Sequence, residues 1–164
     1  MTPAAAKIVA IGLIPASFIL DQLSKAAAHS FVGPGNAITV FPGFNLVAIT
    51  NSGVAFGLAG ETAPMILIGL AIVLSGLLGI WLFRTKSAAH AAGLGLAIGG
   101  ALSNVADRMI FGAVRDYIDL YWGTLHWPAF NLADVAIVGG LSLLVLVGDE
   151  QTQTGKTEHT PPLC

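Results

Sequence analysis

The sequence predicts an all-α integral membrane fold of four transmembrane helices, with a small extracytoplasmic β-hairpin or sheet and a surface segment between the first two. Two observations carry that expectation. Of 164 residues, 55% are hydrophobic and only 10% are charged, whereas a soluble domain carries about 25% charged residues. A chain this short still has mostly surface to cover, so a large core cannot absorb the excess, and lipid must act as solvent. The second observation is that four segments reach the length of about 20 apolar residues that a bilayer span requires. They run from about Ile8 to Ala28, Pro64 to Phe83, Ala88 to Met109 and Ala129 to Val147. Together they make one membrane-embedded domain over residues 1–148, and the polar tail 149–164 is expected to be disordered.

The first span begins after Lys7, which superficially fits a secretory signal. Its apolar run is too long for one, and Asp21, Gln22 and Lys25 interrupt the zone where cleavage would fall, so it reads as a retained helix. In the connection that follows, Ala37 to Thr50 is rich in β-branched and aromatic residues around Pro42-Gly43. That pattern predicts a short hairpin. Asn51 to Leu58 (NSGVAFGL) continues as a Gly-bearing apolar segment suited to the membrane surface.

The second span carries no charge, and Arg84-Thr85-Lys86 joins it to the third. Basic short loops face the cytoplasm, which puts Lys7, Lys156 and both termini inside and the longer connections outside. Arg108 and Arg115 then fall outside, among Asp107, Asp116 and Asp119, and are expected to find partners locally. A net charge of -2 with no basic run argues against a nucleic-acid partner. The single cysteine, Cys164, can form neither an internal disulfide nor a cysteine metal site.

With that topology the polar residues gather at one depth. Asp21 and Lys25 lie at the outer end of the first helix, Asn104, Asp107 and Arg108 at that of the third, and Asn131 and Asp134 in the outer turns of the fourth. At about 1.5 Å rise per residue, Asp134 stands roughly 20 Å from the inner end near Val147. An ionisable group inside a span costs about 2.5–3.5 kcal/mol on insertion scales and is a functional candidate by default.

Asn131 precedes Asp134 by three residues and shares its helix face, and Asn104, Asp107 and Arg108 share another. Arg108 is expected to keep Asp107 ionised. Asp116 and Asp134 are candidates for a pair in which one carboxyl holds a proton while the other is charged. One member then takes a proton from water while its partner donates to a carbonyl oxygen, which is peptide hydrolysis without a metal or covalent intermediate.

Structural roles compete for several of these residues. Asp21 and Lys25 have ordinary ion-pair spacing, Asp107 and Arg108 equally suit a local brace, Asp119 reads as solvated or capping, and Asn51 suits a turn. His126, beside Trp127, suits interfacial packing. The chain has no Gly-x-Ser-x-Gly and no His-Glu-x-x-His, and its four histidines are scattered. No metal or other cofactor is expected. A small proton- or ion-translocating bundle and a purely structural subunit remain open on the residues alone. A translocation path, however, would spread polar groups through the membrane depth, and the second helix and the inner halves of the others are apolar.

Gly99 to Tyr121, GGALSNVADRMIFGAVRDYIDLY, resembles the signature of the lipoprotein signal peptidase (signal peptidase II) family: Gly-Gly-Ala, Asn-x-x-Asp-Arg, then Gly-x-Val-x-Asp-Phe/Tyr-Ile. Phe130 to Ile137 (FNLADVAI) is similar to that family's Phe-Asn-x-Ala-Asp box, Asp21-Gln22-x-x-Lys25 to its first-helix box, and Asn51 to Phe56 to its Asn-x-Gly-x-Ala-Phe segment. Each motif is weak alone, but four in order around four spans are specific. The resemblance implies an aspartic endopeptidase of the bacterial inner membrane, with its active site near the outer face. It would cut prolipoproteins just before a cysteine carrying a diacylglyceryl group.

The resemblance also implies roles for individual residues. Asp116 and Asp134 would be the catalytic dyad, Asn104 and Asn131 would steady it, and Asn51 and Arg108 would contact substrate. Asp21, Lys25 and Asp107 would give support. Membrane lipids and cyclic-peptide inhibitors of the globomycin type are the further partners implied. Two departures stand out. Ser103 replaces the usual Gly and is small enough to keep helix packing close, and Arg115 replaces a usual apolar residue, where it would lower the pKa of Asp116 only if its side chain faced that carboxyl.

Overall fold

The computed structural model describes residues 3–53 and 63–154. In chain order the elements are α1 (Pro3–Val32), β1 (Ala37–Phe41), β2 (Phe44–Asn51), α2 (Ala63–Arg84), α3 (Ala88–Phe111), β3 (Val114–Trp122), β4 (Leu125–His126) and α4 (Leu132–Thr154). Helices α1, α2 and α3 each contain a stretch long and apolar enough to cross a membrane, Lys7–Val32, Met65–Arg84 and Ala88–Phe111. The apolar part of α4, Leu132–Val147, is shorter. Their outward faces carry exposed Ile8, Ile11, Ile66, Val73, Phe83, Val145 and Leu146, a surface that only a lipid-like solvent suits.

Helix α3 is the central element, packed against α1, α2 and α4. Small residues allow this. A Cβ on Gly93 would stand 2.6 Å from the Gly140 carbonyl oxygen, and one on Gly100 would stand 2.5 Å from that of Ala133, both on α4. On another face of α3, a Cβ on Gly99 would run into Ser17 and Ile14 of α1. Close backbone approach of this kind is how helices associate in lipid, where no hydrophobic drive pulls them together. Ala10, Leu82, Ala91, Leu94, Ile98 and Leu144 form the apolar core between them.

Caps set where α3 begins and ends and where α4 begins. Ser87 accepts a hydrogen bond from the His90 amide at the start of α3, and Gly112, at φ 74°, ends it by donating to the Arg108 carbonyl. The left-handed conformation there is natural for glycine. It turns the chain into β3 within two residues, bringing Asp116 back over the C-terminal end of α3. Helix α4 starts at Leu132 rather than at the expected Ala129, because Asn131 caps it and Phe130 is still bridged to Ile118 of β3. Its backbone continues to Thr154, past the expected end at Val147.

The expected hairpin is present as β1 and β2, turning at Gly43 with φ 94°. The sheet is larger than expected, with four antiparallel strands in the order β1-β2-β3-β4. Strand β3 escapes a hydropathy reading because two of its buried residues are Asp116 and Asp119. The far part of the expected surface segment, residues 54–58, and the end of the tail, residues 155–164, lie outside the described residues.

The neighbouring glycines Gly139 and Gly140 test the packing argument. A Cβ on Gly139 meets nothing within 4 Å, whereas one on Gly140 presses on the Gly93 carbonyl. Gly139→Ala should leave the melting temperature in detergent unchanged or slightly raised, since removing a helical glycine gains about 0.5–1 kcal/mol. Gly140→Ala should lower it, by an overpacking cost of about 1–3 kcal/mol.

Candidate active site

The site grows from α1. Asp21 and Lys25 are four residues apart on one helix face, and both side chains are fully buried. The Lys25 ammonium sits 2.7 Å from Asp21 Oδ2 and 3.2 Å from Asp107 Oδ2, and donates to Asn104 Oδ1 at 2.8 Å. Its three protons thus match three acceptors. Asp21 does more than pair with it. Its Oδ2 accepts from the Ser103 hydroxyl at 2.6 Å, and its Oδ1 accepts from the Ala133 amide at 2.7 Å. That amide is one of the first-turn N–H groups that a helix leaves without an internal partner, so α1 holds the start of α4 through a buried carboxylate.

Asp107 is braced, but not by Arg108. Its Oδ1 accepts from Arg115 Nη2 at 2.8 Å and from Gln22 Nε2 at 2.9 Å, and its Oδ2 accepts from the Arg115 amide at 3.0 Å. Arg115 Nη2 also donates to Gln22 Oε1 at 2.8 Å, and the guanidinium lies 4.3 Å over the Phe111 ring. Two expectations are corrected here: Arg115 engages Asp107 rather than Asp116, and Arg108 does not pair with Asp107. Adjacent helix residues point about 100° apart, so Asp107 and Arg108 cannot readily share a partner direction. Among the described residues Arg108 donates only to the Asn104 carbonyl, at 3.3 Å, and its buried Nε has no partner. Its Nη2 would lie 3.8 Å from a Cβ on Gly53.

The two candidate carboxylates meet around Asn131. The Asn131 side-chain oxygen accepts from the Asp134 amide at 3.0 Å, and the Asn131 amide donates to Asp134 Oδ2 at 3.2 Å, a reciprocal capping arrangement. Its Nδ2 donates to Asp116 Oδ1 at 2.7 Å and, more weakly, to Asn104 Oδ1 at 3.3 Å. Asn104 in turn donates to Asp134 Oδ1 at 2.9 Å, and Asn51 to Asp116 Oδ2 at 3.0 Å. Each carboxylate therefore has both oxygens engaged, and every one of these donors is an asparagine. Burial pushes the Asp116 carboxyl above the ordinary range, and the neighbouring Asp134 adds to this. The hydrogen bonds from Asn131 and Asn51 oppose the shift, and Lys25 opposes it weakly.

Asp119, expected to be solvated or to cap, is buried instead. It accepts from Asn45 Nδ2 at 2.8 Å and pairs with His126 Nδ1 at 2.9 Å, tying β2, β3 and β4 together. Burial raises its pKa, but the Asn45 and His126 hydrogen bonds outweigh that, and the net direction is down. His126 also stacks on Tyr121 at 5.2 Å. The residues that sequence reasoning passed over are Gln22, His29, Asn45 and the hydroxyl of Ser103. Gln22 had a signal, since it sits inside the Asp21–Lys25 box, and Ser103 stood out only as a departure from the usual Gly. Beside Asp134, a mostly apolar cleft of about 470 Å³ runs along α4, lined by Trp127, Phe130, Val135, Val138 and Gly139.

The chain is similar to known proteins over most of its length. The family model for Signal peptidase (SPase) II matches residues 13–148. A lipoprotein signal peptidase of Vibrio vulnificus is 42% identical over 146 residues, covering 85% of this chain and 87% of its own length. One from Anaplasma phagocytophilum is 39% identical over 136 residues, covering 82% and 87%. Among solved structures, a bacterial membrane enzyme determined in meso at 2.3 Å resolution superposes with a TM-score of 0.75. It is 23% identical and covers 96% of this chain and 95% of its own, so it bears on the fold alone.

The corrected pairing separates two substitutions. Lys25→Met leaves Asp21 and Asp107 buried without their shared ammonium and should cost about 3–5 kcal/mol of stability. Arg108→Ala removes no partner from Asp107 and should leave the melting temperature near that of the unaltered protein. Thermal unfolding of both in detergent checks this, and an Arg108→Ala loss as large as that of Lys25→Met would restore the brace.

Proposed function

The chain belongs to the signal peptidase II family, and on that premise we propose that Asp116 and Asp134 are the catalytic dyad with which it cleaves. The enzyme is an aspartic-type peptidase of the bacterial membrane that removes signal peptides from prolipoproteins. The observation that carries the assignment is the shared asparagine. Asn131 bonds Asp116 through its side chain and Asp134 through both its backbone and its side chain, so neither carboxyl can reorient without the other. Two such neighbours do not ionise together easily, and one proton stays on the pair. The charged member accepts a proton from the attacking water while the protonated member donates to the scissile carbonyl oxygen. Collapse of the tetrahedral diol then passes a proton to the leaving nitrogen.

The remaining roles follow from position. Asn104 and Asn131 orient the dyad. Asn51, exposed at the end of β2, and Arg108, whose Nε has no partner among the described residues, face the substrate. Asp21, Lys25 and Asp107 form the support beneath. The substrate is a prolipoprotein with a diacylglyceryl cysteine, cut just before that residue, and the apolar cleft along α4 suits its hydrocarbon parts. Globomycin-type cyclic peptides would compete for the same place.

The α4 helix is the fourth span of a single domain over residues 1–148. Both termini face the cytoplasm, and the sheet and dyad stand at the outer face of the inner membrane. A signal peptide and its lipid both arrive through the bilayer, so the scissile bond is presented at that level.

Asp116→Asn and Asp134→Asn should each abolish cleavage of a lipidated prolipoprotein while the protein still folds, because an amide conserves size but cannot exchange the proton. More than a few per cent of activity in both variants would remove the dyad assignment.

The pH profile gives a second test. A raised Asp116 pKa keeps the dyad's proton to higher pH than an ordinary carboxyl would, so activity should fall only as pH rises through that value. Asn51→Ala deletes a hydrogen bond that lowers this pKa. Its alkaline limb should therefore move to higher pH, and a limb that stays put or moves down contradicts the assignment.

A further inference from the structure

We infer that His29 is a positioning residue for the reaction, holding the backbone of Asp116 through its imidazole; this rests on the reading of Asp116 as catalytic. His29 lies in the last turn of α1, four residues beyond Lys25 and eight beyond Asp21. The three share one face of the helix. Asp21 and Lys25 reach α3 and α4, whereas His29 reaches β3, with Nε2 3.2 Å from the Asp116 carbonyl oxygen. A carbonyl only accepts, so Nε2 carries the proton of that bond. One residue before Lys25, Ser24 receives the Tyr117 hydroxyl at 2.9 Å. Helix α1 therefore grips two successive residues of β3, at the backbone of the first and the side chain of the second.

The sheet explains why this point needs a hold. The pairing of β2 with β3 shifts register between Leu46 and Ile49, and Ile49 is the residue opposite Asp116. An irregularity of this kind loosens the ladder and lets a strand re-aim a side chain. Here it sits beside the residue whose aim matters most. Asn131 and Asn51 fix the Asp116 carboxylate from its oxygens, but both act on the side chain. The His29 bond acts on the main chain behind it, where a small shift would carry the carboxylate out of line with Asp134. A misplacement of about 1 Å at a reacting group can cost up to about a hundredfold in rate.

An imidazole donates from Nε2 whether neutral or charged in this arrangement, so the test reads geometry rather than titration. It uses His29→Leu, which fills the space without a donor, and His29→Gln, whose amide can donate to the same carbonyl. Cleavage of a lipidated prolipoprotein by the detergent-solubilised enzyme supplies kcat and KM, and Asp116→Asn serves as the blank.

His29→Leu should lower kcat about tenfold with KM within about twofold, and His29→Gln should recover most of the loss. An unchanged kcat in His29→Leu overturns the inference, as does a changed KM with kcat preserved, or a Gln variant no better than Leu. An active Asp116→Asn blank overturns the dyad reading itself, whereas a dead blank with a normal His29→Leu overturns only the role of His29.

Discussion

The architecture depends on one buried ammonium. Lys25 lies among three acceptors on α1 and α3, and two of them are carboxylates. Taking three charges out of water is costly unless each is matched, and the removal of one strands the others. The match is therefore also a positional constraint. Asp21 is paired where Lys25 reaches it, and from there its other oxygen collects the Ala133 amide of α4. Asp107 can remain buried only with Lys25 on one side and Arg115 on the other. Three helices and the start of β3 are thereby located relative to a single nitrogen. Two cations and two carboxylates leave this cluster formally neutral, which a membrane-buried layer favours.

Helix ends provide the second constraint. The first turn of α4 must satisfy its amides, and it does so with groups that also serve the site. Asp21 takes the Ala133 amide, and Asn131 and Asp134 cap each other. Removing Asn131 would therefore disturb both the fold and the proposed dyad, so a substitution at that residue cannot separate stability from function. Substitutions at Asn51 and Arg108, which carry little of the packing, can separate them.

Much of this was legible in the sequence, and the parts that were not have physical causes. Long apolar runs mark helices α1 to α3 plainly, because lipid demands uninterrupted apolar surface. The hairpin declared itself through its β-branched residues and Pro42-Gly43. Strand β3 did not, since an alternation that buries Asp116 and Asp119 looks polar to any hydropathy measure. Asp116, Asp134 and their three asparagines could be assembled from motifs and shared depth. The partners of Asp107 could not. Sequence adjacency favoured Arg108, but the Gly112 turn folds β3 back so that Arg115, eight residues away, makes the bonds. His29 was invisible for a similar reason: its contact is to a backbone carbonyl, and backbone acceptors leave no trace in residue types.

The asparagines deserve a physical account, because cations would bind carboxylates more strongly. A dyad needs one proton shared between two acids, and a guanidinium or ammonium in direct contact with either carboxylate would stabilise the doubly ionised state and expel that proton. Amides fix direction without adding charge. The arrangement here keeps the cation one step removed: Lys25 donates to the oxygen of Asn104, and the nitrogen of Asn104 donates to Asp134. The ammonium thus sets the orientation of the amide, and the amide passes on that orientation with only part of the charge. Asp116 feels Lys25 least among the influences on it, and burial dominates. Arg108 donates to the Asn104 carbonyl rather than to either acid, and among the described residues its Nε has no partner. On the proposed reading, positive charge in this fold secures the frame, while Asp116 and Asp134 are aimed by neutral donors that do not favour the doubly ionised state.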